Sequence, residues 1–78
     1  MLNIDYSPDF LKTISKIKNK DEQERIRKQI KRTIENPEVG KPMHHSRKGT
    51  REVYVKPFKF SYAYVKEEEK IILLDFLS

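Results

Sequence analysis

From Phe10 onward, the apolar residues of this 78-residue chain change their period once, at Gly49. Before it, Phe10, Leu11, Ile14 and Ile17, then Ile26, Ile30 and Ile34, recur at the intervals of helix faces turned toward a core. After it, Val53 and Val55, then Phe58, Phe60, Tyr62 and Tyr64, fall on every second residue, the period of half-buried strands. A helical half followed by a β half, in a chain too short for more than one domain over residues 1–78, restricts the fold to helices laid on a sheet. Such a chain buries only a small core.

Local signals place the boundaries. Leu2, Ile4 and Tyr6 alternate with Asn3 and Asp5 as a short strand. Ser7 is an N-cap and Pro8 a first helical residue, so a helix is expected over 8–18, with a break at Asn19-Lys20. Asp21 and Glu24 form a capping box for a second helix that ends at Glu35 or Asn36, because Pro37 denies its predecessor an α conformation. With so short a link the helices form an antiparallel hairpin. Residues 37–49 hold Pro37, Gly40, Pro42 and Gly49 and read as a long loop. Pro57 marks a hairpin turn, Lys66-Glu67-Glu68-Glu69 a polar connection, and Ile71 to Leu74 a strand buried on both faces or central in the sheet. The class is α+β: an N-terminal strand, a helical hairpin and a three-stranded antiparallel meander, all in one mainly antiparallel sheet.

Charge is unevenly spread. The net charge is +5. Residues 1–36 carry nine basic and six acidic side chains, residues 37–60 six and two, and residues 61–78 two and four. The middle third is therefore the most positive, which favours and orients a polyanionic partner. No cysteine is present, so no disulfide or thiolate chemistry is available and a reducing compartment is expected. No apolar run approaches the ~20 residues of a membrane span, and MLNIDYSPDF lacks the pattern of a secretory signal. A cytoplasmic protein is expected.

The stretch from Lys41 to Lys59 concentrates the chemistry. Lys41, Arg47, Lys48, Arg51, Lys56 and Lys59 face one acid, Glu52, with His44, His45, Tyr54 and Phe58 among them. Cations interleaved with rings suit a phosphate backbone and its bases. Tyr54 has the opposite parity to Val53 and Val55, which makes it the ring available for stacking. Phe58, Phe60, Tyr62 and Tyr64 share one face and read as core. Glu52 is read as a strand residue paired with a neighbouring cation, with general base as the alternative. Two adjacent histidines without a third, and without cysteine, do not make a metal site, so no metal and no cofactor are expected.

The chain resembles the RelE/ParE superfamily of toxins from bacterial and archaeal toxin–antitoxin pairs. "IDYSPDFLKTISKI" is similar to the family's strand and "S..F.K.L.KL" helix, "IRKQIKRTIENP" to its second helix, and "GTREVYVKPFKFSYAY" to its "lRevrvg.yRviY" strands. The resemblance spans the whole chain in element order and spacing.

That resemblance implies a RelE-like fold, a cognate antitoxin partner and, in the RNA-cleaving members, metal-independent cleavage of messenger RNA on the ribosome by attack of a 2′-hydroxyl on the adjacent phosphate. Such a cut needs a base, cations for the phosphorane and an acid for the 5′-oxygen. By position in the matched phrases, Lys59 falls on the family's Arg and Tyr62 on its final Tyr. Lys59 offers a point charge where Arg offers a planar fork. Many members continue past the last strand into a basic tail with His or Tyr, whereas this sequence ends Phe76-Leu77-Ser78. His44 and His45 are the expected substitutes in proton transfer. The catalytic candidates are thus Arg51, Lys59, Tyr62, His44 and His45, and the RNA-binding candidates Lys41, Arg47, Lys48, Tyr54 and Lys56. Two other readings remain open: a gyrase-directed ParE-like toxin, and a catalytically inactive relative that only binds.

Overall fold

Ser7 joins the first strand to the first helix and to the last strand. In the computed structural model, which describes residues 2–43 and 49–77, its hydroxyl caps α1 (Pro8–Ser15) by accepting from the Phe10 N–H at 3.1 Å. The same hydroxyl donates to the Leu74 carbonyl, and the Ser7 N–H donates to Leu73 O at 2.8 Å. The strand before it, β1 (Asn3–Tyr6), pairs in parallel with β5 (Lys70–Leu77), Ile4 opposite Ile71. Lys70 also donates to the Asp5 carboxylate at 3.0 Å, and that hydrogen bond and charge hold its ammonium pKa above the usual 10.5.

Between these two strands lie α2 (Lys20–Glu35), β2 (Lys41–Pro42), β3 (Thr50–Val55), β4 (Phe58–Val65) and a 3₁₀ turn (Lys66–Glu68). Among the described residues the strands form one five-stranded sheet in the order β1-β5-β4-β3-β2, antiparallel except for the β1–β5 pair. A parallel pair needs a crossover; here everything from α1 to β4 supplies it. The expected α+β class and mainly antiparallel sheet are found.

Several boundaries shift from the sequence-based reading. The first helix ends at Ser15, not at 18, because Lys16 and Ile17 donate back to Thr13 and Ile14, three residues away, in a tighter final turn. The second helix starts at Lys20. Its cap is Asn19, whose side chain accepts from Glu22 N–H at 2.9 Å, so the Asp21–Glu24 box is not used. Gln23 fastens the link by donating to Ile17 O at 2.8 Å. Residues 41 and 42, expected in a loop, form an edge strand, with Lys41 opposite Glu52 and Pro42 opposite Arg51. Pro57 does sit in the two-residue β3–β4 turn, after a cis peptide bond.

Both helices cover one face of the sheet. Phe10 of α1 is fully buried, edge-on to Phe60 and Phe76, and Ile26 of α2 closes the same core with Val55, Tyr62, Ile71 and Leu73. The apolar run on β5 alternates in burial: Ile71 and Leu73 are buried, and residues 72 and 74 half-buried. The register with β4 then slips by one residue, from Tyr62–Leu73 to Ser61–Asp75. This bulge at Leu74 returns Phe76 to the core. No helix among the described residues is long and apolar enough to cross a membrane.

Candidate nucleic-acid interface

Strand parity sorts the candidate residues onto two faces. Val53 is opposite Phe60 and Val55 opposite Phe58, so these side chains point toward the helices. The residues between them point away: Tyr54 opposite Lys59, Glu52 opposite Ser61 on one side and Lys41 on the other. On this outer face Glu52 binds two partners. It accepts from the Tyr54 hydroxyl at 2.8 Å and lies 3.6 Å from the Lys59 ammonium. Its side chain is only 17% exposed, whereas Tyr54 is 61% exposed. The hydrogen bond to Glu52 and that carboxylate's charge raise the Tyr54 phenol above its usual 10.0, opposed by Lys59.

Tyr54 stands as a ridge between two hollows. One, of about 210 Å³, is shared with Lys56, Pro57 and Lys59. The other, of about 300 Å³, runs along the sheet edge between β3 and α2 and is walled by Gln29, Arg32 and Lys41. Lys56 sits at the hairpin turn, where its carbonyl accepts from Arg25 Nη1 at 2.8 Å.

Arg51 and Tyr62 do not join this cluster. They are a cross-strand pair on the helix-facing side. Tyr62 is fully buried; its hydroxyl accepts from Gly40 N–H at 2.9 Å and donates to Pro37 O at 2.7 Å. Burial raises its pKa, offset in part by the Gly40 N–H and by Arg51. Arg51 Nη1 donates to Glu38 O at 3.0 Å and Gly40 O at 2.8 Å, with Nη2 4.0 Å from the Glu38 carboxylate. Together they clasp the segment that leads into β2. Gly40 is required there, since a Cβ would lie 2.7 Å from the Tyr62 hydroxyl oxygen. His44, His45, Arg47 and Lys48 lie outside the described residues. Among the described residues no group of three His, Cys, Asp or Glu side chains is placed to hold a metal ion.

No family model and no curated protein matches the chain by sequence. Solved structures do match in shape. RelE in the intact E. coli RelBE toxin–antitoxin complex superposes with a TM-score of 0.84 at 12% identity, covering 100% of this chain and 96% of that one. The isolated E. coli RelE toxin gives 0.83 at 12%, covering 100% and 84%. A conserved hypothetical protein from Helicobacter pylori gives 0.61 at 22%, covering 100% and 94%. The chain has the RelE toxin fold.

Within this RelE-like fold, the outer face gathers Lys41, Tyr54 and Lys59 from the sequence-based set. Glu52 appears in the paired role read from sequence. Arg32 and Gln29 were not among the candidate site residues. Their signal was present in the spacing of Arg25, Gln29 and Arg32, which share a helix face beside the Ile26–Ile30 stripe and so flank the neighbouring strand. The partner strand that places this flank was not readable from α2 alone.

Proposed function

We propose that this protein is the toxin of a toxin–antitoxin pair and that it cuts messenger RNA on the ribosome without a metal. The observation that carries this is the Lys59–Glu52–Tyr54 cluster, set on the open face of a RelE-like sheet. It supplies what 2′-hydroxyl attack requires. Glu52 accepts the 2′-hydroxyl proton, and the 2′-oxygen bonds to the adjacent phosphorus. Lys59 and Lys41 balance the charge of the phosphorane. The bond to the 5′-oxygen then breaks, and that oxygen takes a proton from Tyr54, whose raised pKa keeps it protonated. The products are a 2′,3′-cyclic phosphate and a 5′-hydroxyl. Arg51 and Tyr62 act here as positioning residues: they hold residues 37–40, and with them Lys41. His44, His45, Arg47, Lys48 and Lys56 belong to the same reading as additional proton-transfer and phosphate-binding groups.

The antitoxin partner has a seat in this reading. Tyr6, Ile30 and Ile34 line an open hollow of about 560 Å³ flanked by Arg27, Lys31 and Glu35. An amphipathic segment that sets acidic side chains against Arg27 and Lys31 fits that apolar floor.

The test uses translating ribosomes and mapping of messenger ends. Codon-phased cuts ending in cyclic phosphate are expected, reduced about 10²-fold or more by Glu52→Gln and by Lys59→Met. Intact messenger accompanied by gyrase-linked DNA breaks would instead identify a ParE-like toxin. Intact messenger without growth arrest would identify a binding-only relative.

A further inference from the structure

The edge cleft between α2 and β3 has two polar wall residues, Arg32 and Gln29, that the cleavage chemistry does not use. Arg32 and Lys41 stand on its walls, and neither side chain has an ion-pair or hydrogen-bond partner among the described residues. The Gln29 amide, half-buried on the same wall, is likewise unpartnered. Glu52 also lines the cleft, but its carboxylate is turned to Tyr54 and Lys59, which offsets its charge. The floor is a sheet edge. Thr50 O accepts from Met43 N–H on the β2 side, so by strand alternation the main-chain groups of Tyr54 point the same way, past the end of β2. Tyr54, an exposed residue, also lines the cleft.

We infer that this cleft holds one nucleotide of single-stranded RNA, next to the linkage at Lys59. The base stacks on Tyr54 and is read by the Gln29 amide and the Tyr54 main chain. Arg32 and Lys41 hold its phosphate, in the way single-strand binders pair aromatic platforms with cations. An added peptide strand fits less well, because β2 covers the edge as far as residue 52 and only three residues of β3 remain. This assignment rests on reading the outer face as RNA-binding, and it adds a base-selective subsite to that face.

The experiment is fluorescence anisotropy with short single-stranded oligoribonucleotides of differing base composition, with circular dichroism confirming that each variant is folded. Arg32→Ala is expected to weaken binding about tenfold and to lower the salt slope by about one. Gln29→Ala should flatten base preference and leave that slope unchanged. Lys28→Ala, an exposed α2 cation outside the cleft, is the control. If Arg32→Ala behaves like Lys28→Ala while Lys59→Ala still weakens binding, the cleft assignment falls and the RNA reading stands. If the wild type binds no oligoribonucleotide, both fall. A Tyr54 amide resonance that ignores RNA and moves with an extended acidic peptide would overturn the assignment in favour of strand addition.

Discussion

Glu52 is the residue on which the outer face turns, because one carboxylate serves both an acid and a cation. Its bond to Tyr54 is testable in solution. The phenol is raised because its neutral form donates to the carboxylate and its anion would sit beside a negative charge. A folded-state pKa above the unfolded value means that any associated stabilisation is complete below pH 10.0 and fades as the pH rises through the raised value. Glu52→Gln should therefore bring the Tyr54 ionisation down toward 10.0, and Lys59→Met should push it further up. Ultraviolet titration against a Tyr54→Phe reference reads this directly. A Tyr54 transition indifferent to Glu52→Gln would mean that the hydrogen bond does not persist in water, and the proton donor of the proposed cleavage would have to be another group.

At the scale of elements, the clasp on residues 37–40 decides where the edge strand β2 begins. Tyr62→Phe removes both the acceptor of Gly40 N–H and the donor to Pro37 O in a buried place, at a cost of about 1–3 kcal/mol. Gly40→Ala forces a methyl to 2.7 Å from the Tyr62 oxygen and 3.0 Å from the Arg51 Cβ, an overpacking cost of about 1–3 kcal/mol. Because the two changes meet at one atom, the double variant should cost less than their sum in urea unfolding. A Tyr62→Phe cost below about 0.5 kcal/mol would be that of an ordinary surface change and would refute the clasp. Elements were legible where the signal is local. The Ser7-Pro8 start, the Pro37 stop and the Pro57 turn all stand as read. The α2 cap was misplaced because Asn19 and Asp21 are both competent caps, and the choice depends on how the chain leaves α1, where Gln23 ties back to Ile17. β2 was illegible because two residues carry no period; they become a strand only when Arg51 and Glu52 lie opposite them.

For the whole molecule, the candidate site was legible as far as parity reaches. Alternation alone puts Tyr54 and Lys59 on one face and Val53 and Phe60 on the other. It also puts Arg51 on the core side, an outcome that the density of cations in the sequence obscured. Arg32 joins from another element, and only the packed sheet brings it near. The aromatic cluster beneath fixes that packing. Phe10 meets Phe60 at 5.9 Å and Phe76 at 5.5 Å between ring centroids, both nearly perpendicular, and Phe60 stacks on Phe76 at 6.2 Å. One α1 side chain thus braces β4 and β5, whose register carries Lys59 and, through β3, Glu52. A domain of this length has roughly 4–12 kcal/mol of total stability, and emptying a site this well filled costs about 3–5 kcal/mol. Phe10→Ala should then lower the Tm by at least about 12 °C and weaken the Tyr54–Glu52 coupling seen by titration, although Phe10 lies on the far side of the sheet. Phe10→Leu, which keeps most of the volume, should restore both. A large Tm loss with unchanged Tyr54 titration would show that the β3–β4 hairpin holds its outer face without the core beneath it.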